Sequence, residues 1–279
     1  MSDPLARLAA LPGVADAVDE ARTAIDRLRA HRVLRLRGGE VSAESALHGA
    51  RASALLECSD PGYPGDASDA GVSLDRMRAG EVYDPVVQGA LRVLGELAGL
   101  VETWRRAPRQ VLARLHVLAA ADRIDADELG RPRPDDQVTD TLGLGEPPPP
   151  AEVTARLDAL AALLTGRTGA PAPVVAAVVH GELLVLRPFR VYNGLVARAA
   201  ERLTLVERGL DPRALSCPEV GHLELRGEYV DAVRGYASGE PDGVAVWVRH
   251  CCAAVTLGAR EASTICEALM RDTRGGHRA

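Results

Sequence analysis

The amino-acid sequence predicts an all-α, mainly helical protein. Alanine dominates the 279 residues and aromatic residues make up only 3%, so helix-forming residues outnumber those that favour sheets. Several segments also repeat apolar residues at the i, i+3, i+4, i+7 spacing of an amphipathic helix. Because 47% of the residues are hydrophobic and no repeat or low-complexity linker divides the chain, we expect a single domain over residues 1–279.

The first strongly periodic helix is predicted to begin at residue 85. Residues 1–75 before it are expected to form an N-terminal helical subregion, and residues 76–270 the core. Asp84 and Pro85 suit the cap and the first turn of a helix. Apolar residues then follow at helical spacing: Val87, Ala90, Leu91, Leu94, Leu97, Ala98 and Val101.

Two more helices are expected on either side of an irregular segment. Residues 109–121 have the same periodicity, and the prolines at 147–150 introduce a helix with an apolar stripe of Val153, Leu157, Leu160 and Leu164. Between them, residues 122–146 have neither helical nor strand periodicity and are rich in Asp, Gly and Pro. We therefore predict a long exposed loop, a type of segment that often carries function.

The C-terminal half is predicted to contain four helices. Residues 172–186 and 195–209 flank a short loop, and Gly209 suits the end of the second of these helices. Residues 218–237 and 243–270 are each expected to form one further helix.

The charged residues exclude several classes of function. The net charge is −6 and only eight residues are aromatic, which argues against a nucleic-acid partner. Every basic residue other than histidine is arginine, so a lysine Schiff base and a GxxxxGK phosphate loop are excluded. With no basic stretch leading into a long apolar run, we expect a cytoplasmic protein without a signal peptide or a membrane span.

The cysteines and the remaining histidine patterns do not predict a metal site. The five cysteines, at positions 58, 217, 251, 252 and 266, have no CxxC spacing and are expected to be reduced and buried. His180 and His222 each begin an H-x-E pattern, but the P-C-x-x-C half of a zinc deaminase signature does not follow. Motifs of hydrolases, zinc proteases and dinucleotide-binding proteins are also absent from the sequence.

The stretch LRPFRVYNGLVAR, residues 186–198, predicts an anion site. Asn193 and Gly194 lead directly into a helix, whose first backbone N–H groups have no partner within the helix and carry partial positive charge. Arg198 lies about one turn into that helix, where a cation is disfavoured unless an anion accompanies it, and Arg187 adds positive charge at the other rim. The alternative is that these arginines only pair with surface carboxylates.

A second pattern could supply such an acidic group. Ser53 and Glu57 are four residues apart in RASALLECSD and would share one face of a helix. The alternative is a glutamate on a solvated helix face.

The two patterns together resemble the Fic (Fido-fold) family, whose signature is HPFx(D/E)GNGRxxR between two central helices. RPFRVYNGLVAR matches this signature at Pro188, Phe189, Asn193, Gly194 and Arg198. The resemblance implies a Fido-type helical core, with a flap near residues 122–146 that can form a short β-hairpin and position a protein or peptide target by strand addition.

Features outside the signature extend the resemblance. A histidine at position 180 precedes the motif by seven residues, as is frequent in the family, and a proline-rich segment introduces the preceding helix. SALLEC also resembles the family's inhibitory motif (S/T)xxxE(G/N), with Ser53 and Glu57 in place and Cys58 at the last position. In the family this glutamate pairs with the second motif arginine, so the resemblance implies a contact between Glu57 and Arg198.

Four departures from the signature remove groups that the family's AMP transfer needs. Arg187 replaces the histidine that acts as general base, and Val191 replaces the acidic residue that holds magnesium. Tyr192 replaces the first glycine of GNG, and Leu195 replaces an arginine that contacts phosphate. We therefore predict no ordinary AMP transfer and no magnesium site, while ATP or another nucleotide stays a candidate ligand.

Three hypotheses about function follow. The first is a catalytically silent protein that binds a partner or an anionic, nucleotide-like ligand through Arg187, Asn193, Gly194 and Arg198. The second is an enzyme with altered chemistry on a phosphate-containing substrate, in which Tyr192, His180 or Glu182 transfers a proton. The third is a module that docks a peptide along residues 122–146.

Overall fold

The computed structural model describes residues 3–58 and 73–275 and confirms the all-α prediction. These residues form twelve helices and contain no strand; the stretch 59–72 of the predicted N-terminal subregion lies outside them. The helices are α1 (Pro4–Leu8), α2 (Val14–Arg29), α3 (Leu34–Glu57), α4 (Leu74–Ala79), α5 (Pro85–Arg106), α6 (Pro108–Ala120), α7 (Pro150–Thr165), α8 (Ala172–Leu186), α9 (Asn193–Glu207), α10 (Pro218–Glu224), α11 (Arg226–Ala237) and α12 (Pro241–Gly275).

The chain forms helix ends where the sequence places capping residues. The Asp84 carboxylate accepts hydrogen bonds from the N–H groups of Val86 and Val87, and Pro85 occupies the first turn of α5, as predicted. Gly209 adopts φ +78°, the left-handed conformation that suits the residues just after α9. The cap at Asp84 and the stop at Gly209 are therefore local properties of the sequence.

Two predicted helices differ from the observed ones. Residues 218–237 form two helices instead of one, because Leu225 has a non-helical ψ of 16° between α10 and α11. Helix α12 begins before and ends after the predicted range 243–270. His222 in α10 and Tyr229 in α11 are both buried.

The expected β-hairpin at residues 122–146 is wrong, since this segment consists of turns and irregular backbone. Two of its backbone hydrogen bonds go to the neighbouring loop: the Arg133 N–H donates to the Pro188 carbonyl, and the Thr139 N–H to the Arg190 carbonyl, both at 2.8 Å. Glycines with positive φ also bend the segment, at positions 130, 143 and 145. These two N–H groups bind the loop, and the backbone hydrogen bonds within the segment close short turns instead of a hairpin.

Helices α8 and α9 lie at the centre of the molecule and present the loop between them. Helix α8 packs on α12 and α11, whereas α9 packs on α5, α6 and α3. All residues of α8 except Ala172, Glu182 and Val185 are buried, so the ends of the two central helices hold the loop against the core. No helix within the described residues is both long and apolar enough to cross a membrane.

Candidate functional site

The loop at residues 187–192 is closed by unusual backbone conformations and by one asparagine. Arg187 and Tyr192, at its two ends, have φ values of +44° and +58°, which non-glycine residues seldom adopt. The Asn193 carboxamide accepts from the Phe189 N–H at 2.9 Å and donates to the Phe189 carbonyl at 2.6 Å. Phe189, the only phenylalanine of the chain, stacks on His116 with ring centroids 4.1 Å apart. Asn193 and His116 thus hold the loop in one shape.

The start of α9 forms an anion cradle, which we define as the N–H groups of Gly194 and Leu195 with the guanidinium of Arg198. The Glu57 carboxylate, at the end of α3, lies against both N–H groups, which lower the pKa of its carboxyl. Its Oε2 atom lies 2.9 Å from Arg198 Nη2, and both side chains are 2% exposed. The contact implied by the family resemblance is therefore present, and an internal carboxylate fills the cradle.

Ser53 completes this contact between α3 and α9. Its hydroxyl accepts from Arg198 Nε at 2.7 Å, and its carbonyl accepts from Arg198 Nη2 at 2.9 Å. Burial raises the pKa of the Glu57 carboxyl above its ordinary value, against the lowering effects of Arg198 and the two N–H groups. Removing one partner of such a buried ion pair strongly destabilises a protein, because the other charge stays buried without compensation.

Arg187 has partners other than the cradle. Its guanidinium donates to the carbonyls of Gly145 and Glu146 at 2.8 and 3.0 Å, and it lies 3.1 Å from the Asp140 carboxylate. Burial lowers its pKa, and Asp140 opposes that shift. Residue 187 therefore fastens the 122–146 segment to the loop.

The three candidates for proton transfer are buried or paired with other side chains. Tyr192 is buried, and desolvation raises the pKa of its phenol to about 12. Glu182 forms an ion pair with Arg156 at 3.0 Å and accepts a hydrogen bond from Tyr236. His180 is fully buried, and desolvation lowers its pKa to about 4.

A buried polar chain, which sequence reasoning missed, continues from the cradle into the core. The Tyr229 hydroxyl contacts the Arg198 guanidinium and lies 2.8 Å from His180 Nε2. Glu201 lies beyond His180, and a single Glu201 oxygen is 2.8 Å from both His180 Nδ1 and His222 Nε2. The H-x-E patterns at His180 and His222 were visible in the sequence, but nothing local indicated that the two histidines meet.

Fold and site together define an all-α protein that holds a carboxylate at the N-terminus of a central helix. No family model matches the chain, and no curated protein matches it. Among solved structures, it is similar to a Fic family protein from Desulfovibrio desulfuricans G20, with 21% identity and a TM-score of 0.69 over 91% of this chain and 75% of the other. It is also similar to Fic-1 (aa 134–508) from C. elegans, with 17% identity and a TM-score of 0.66; the match covers 91% of this chain and 73% of the other. The chain therefore has the fold of Fic proteins, in agreement with the resemblance of its loop.

Proposed function

We propose that this Fic-fold protein binds a phosphate-bearing, nucleotide-like anion at the cradle, in exchange for the Glu57 carboxylate, and that it does not transfer AMP. The observation that carries the proposal is the carboxylate bound by the N–H groups of Gly194 and Leu195 and by Arg198. A helix N-terminus with a guanidinium has the chemistry of a phosphate site.

The residues at the signature positions support binding without transfer. Arg187 cannot accept a proton from a target hydroxyl, and the side chain of Val191 offers no ligand atom for a metal ion. Loss of a general base by itself typically reduces a rate by about 100- to 10,000-fold. The cradle keeps the groups that bind charge, whereas the groups that would move a proton or hold a cation are replaced.

Calorimetric titration with ATP and with inorganic pyrophosphate tests the binding. In Glu57→Ala the cradle loses its internal anion, so we expect at least about tenfold tighter binding than in the wild type, a gain of about 1.4 kcal/mol. Adding Arg198→Leu to that variant should abolish the binding, because the guanidinium supplies the charge that faces the ligand.

Glu219→Ala is the matched control. Glu219 pairs with Arg202 at 3.1 Å, one turn further along α9, and both side chains are as buried as the Glu57–Arg198 pair. In this variant Arg202 also loses its carboxylate partner, but Arg202 lies away from the N–H groups at the start of α9. Equal gains in Glu57→Ala and Glu219→Ala, or no binding in any variant, would contradict the proposal.

Incubation with labelled ATP and magnesium tests the second half of the proposal. We expect no label on the protein itself or on proteins of a lysate, because the base and the metal ligand of the signature are replaced. Clear labelling by the wild type that disappears in Arg198→Ala would show that transfer chemistry has survived.

The other two hypotheses from the sequence receive less support from the geometry. The enzyme hypothesis relies on Tyr192, His180 and Glu182; Tyr192 is buried, and the other two form hydrogen bonds with tyrosine side chains. Peptide docking along residues 122–146 stays a prediction; without a strand in that segment, it would need a mode other than strand addition.

A further inference from the structure

Four side chains from four different helices converge in the core beyond the cradle. His180 lies on α8, Glu201 on α9, His222 on α10 and Cys251 on α12. One nitrogen, oxygen or sulfur atom of each lies within 4.8 Å of the others, and all four residues are at most 1% exposed. Two imidazoles, a carboxylate and a thiol are the side chains from which proteins build zinc sites.

Both histidines are oriented as metal ligands usually are. The remote nitrogen of His180, Nε2, lies 2.8 Å from the Tyr229 hydroxyl, and that of His222, Nδ1, lies 3.1 Å from His250 Nε2. Partners of this kind fix the tautomer and the ring orientation of a ligating histidine. The near nitrogens, His180 Nδ1 and His222 Nε2, both face the Glu201 carboxylate.

The hydrogen bonds and charges at the centre of the cluster are incomplete. His180 Nδ1 is 2.8 Å from Glu201 Oε2, but Glu201 Oε1 has no hydrogen-bond partner among the described residues. Buried arginines on α9 have other carboxylates, since Arg198 pairs with Glu57 and Arg202 with Glu219. The buried Glu201 carboxylate thus contacts two imidazoles but no arginine in the described part of the chain, and buried charges are normally paired or bind a metal.

We propose that His180, Glu201, His222 and Cys251 bind one Zn²⁺ ion. With two neutral imidazoles, the carboxylate and a Cys251 thiolate, the charges of the ligands balance the two positive charges of the ion. Such a site would join α8, α9, α10 and α12. Protein side chains would fill all four coordination positions, as in structural zinc sites. It would also hold Tyr229, which contacts both His180 and Arg198.

The observed separations suit a tetrahedral ion after small adjustments. Zinc–ligand bonds of about 2.0–2.3 Å place ligand atoms roughly 3.3–3.8 Å apart, compared with 2.8 to 4.8 Å in this cluster. His250, the partner of His222, also lines a cleft of about 470 Å³ together with Glu228 and Asp231.

Metal analysis of the full chain tests the proposal. Chelator-treated protein is given Zn²⁺, freed of excess metal and analysed by mass spectrometry; we expect one zinc per chain and a higher melting temperature than without metal. Loading with Co²⁺ instead should give the visible bands of a tetrahedral ion and a thiolate-to-cobalt charge-transfer band. In Cys251→Ser the charge-transfer band should disappear.

Cys252→Ser is the matched control, because Cys252 is the next residue of α12 and is equally buried, but does not belong to the cluster. It should keep the zinc and the cobalt spectrum. His250→Gln, which removes the imidazole partner of His222, should weaken zinc binding by about 10- to 100-fold. Wild-type protein that retains no zinc, or a cobalt spectrum without the thiolate band, would overturn the proposal and leave a purely hydrogen-bonded cluster.

Discussion

Gly194 is the residue at which the loop, the helix N-terminus and the internal carboxylate meet. A Cβ atom there would collide with Glu57 Oε2 and would lie 2.8 Å from Arg198 Nη1. We therefore expect Gly194→Ala to push the carboxylate out of the cradle and to lower the free energy of unfolding by about 1–3 kcal/mol. Urea denaturation followed by circular dichroism measures this change.

Gly95→Ala is the control for Gly194→Ala. Gly95 lies in an exposed turn of α5, and a methyl group at this position would meet no atom within 4 Å beyond its own helix and chain neighbours. Alanine should raise stability there by about 0.5–1 kcal/mol, because it forms helix better than glycine. If both variants gained stability, the tight fit at Gly194 would be refuted.

His116 should make the stability of the protein depend on pH. Its Nδ1 accepts a hydrogen bond from the Gly130 N–H at 3.0 Å, and desolvation lowers its pKa from the ordinary 6.5 to about 4. The folded state therefore binds fewer protons than the unfolded state between these values. The stability from this group is complete above pH 6.5 and is lost as the pH falls towards 4, at about 1.4 kcal/mol per pH unit.

His116→Asn isolates this effect, because asparagine keeps an acceptor but does not titrate. We expect the free energy of unfolding to fall less steeply between pH 6.5 and 4 in the variant than in the wild type. The difference between the two curves is the informative quantity, since other buried histidines contribute equally to both. Parallel curves would show that His116 is not the titrating group.

Among the contacts between segments, those of Arg187 attach the end of residues 122–146 to the loop. Arg187→Met removes the hydrogen bonds to the Gly145 and Glu146 carbonyls and the ion pair with Asp140. We expect amide hydrogens of residues 133–146 to exchange at least about tenfold faster, a local loss of about 1.4 kcal/mol. Hydrogen exchange followed by mass spectrometry resolves this segment from α3.

Arg190→Met provides the comparison. Arg190 pairs with Glu128 and Asp135 of the same segment, but these carboxylates are more exposed than the Asp140 carboxylate beside Arg187. Exposed ion pairs contribute little, so the exchange of the segment should change much less. Faster exchange in α3 as well as in the segment would instead indicate that Arg187 supports the whole core.

Across the molecule, one hydrophobic core extends from Leu5 in α1 to Cys266 in α12. The two tryptophans report on different parts of it: Trp104 donates to the Thr204 hydroxyl at 3.2 Å, and Trp247 donates to the Ala177 carbonyl at 2.7 Å. We expect the described helices to unfold as one cooperative unit.

Two single-tryptophan variants, Trp104→Phe and Trp247→Phe, test this cooperativity. In each variant, urea unfolding followed by the fluorescence of the remaining tryptophan should coincide with unfolding followed by far-ultraviolet circular dichroism. A fluorescence midpoint clearly below that of circular dichroism in either variant would reveal a separate folding unit in that part of the molecule.

Features that depend on neighbours along the chain could be predicted from the amino-acid sequence. The helices, the cap at Asp84 and the stop at Gly209 follow from periodicity and from the hydrogen bonds of single turns. The resemblance of the loop to a known signature added the fold and the contact between Glu57 and Arg198. The functional roles of those two residues are still predictions.

Contacts between distant groups, in contrast, became visible only in the folded molecule. Arg187 binds the 122–146 segment, residues 218–237 divide at Leu225, and His180, Glu201, His222 and Cys251 come together from four helices. Their meeting depends on how whole helices pack, and residues that face each other across a core leave no periodic or local pattern in the chain.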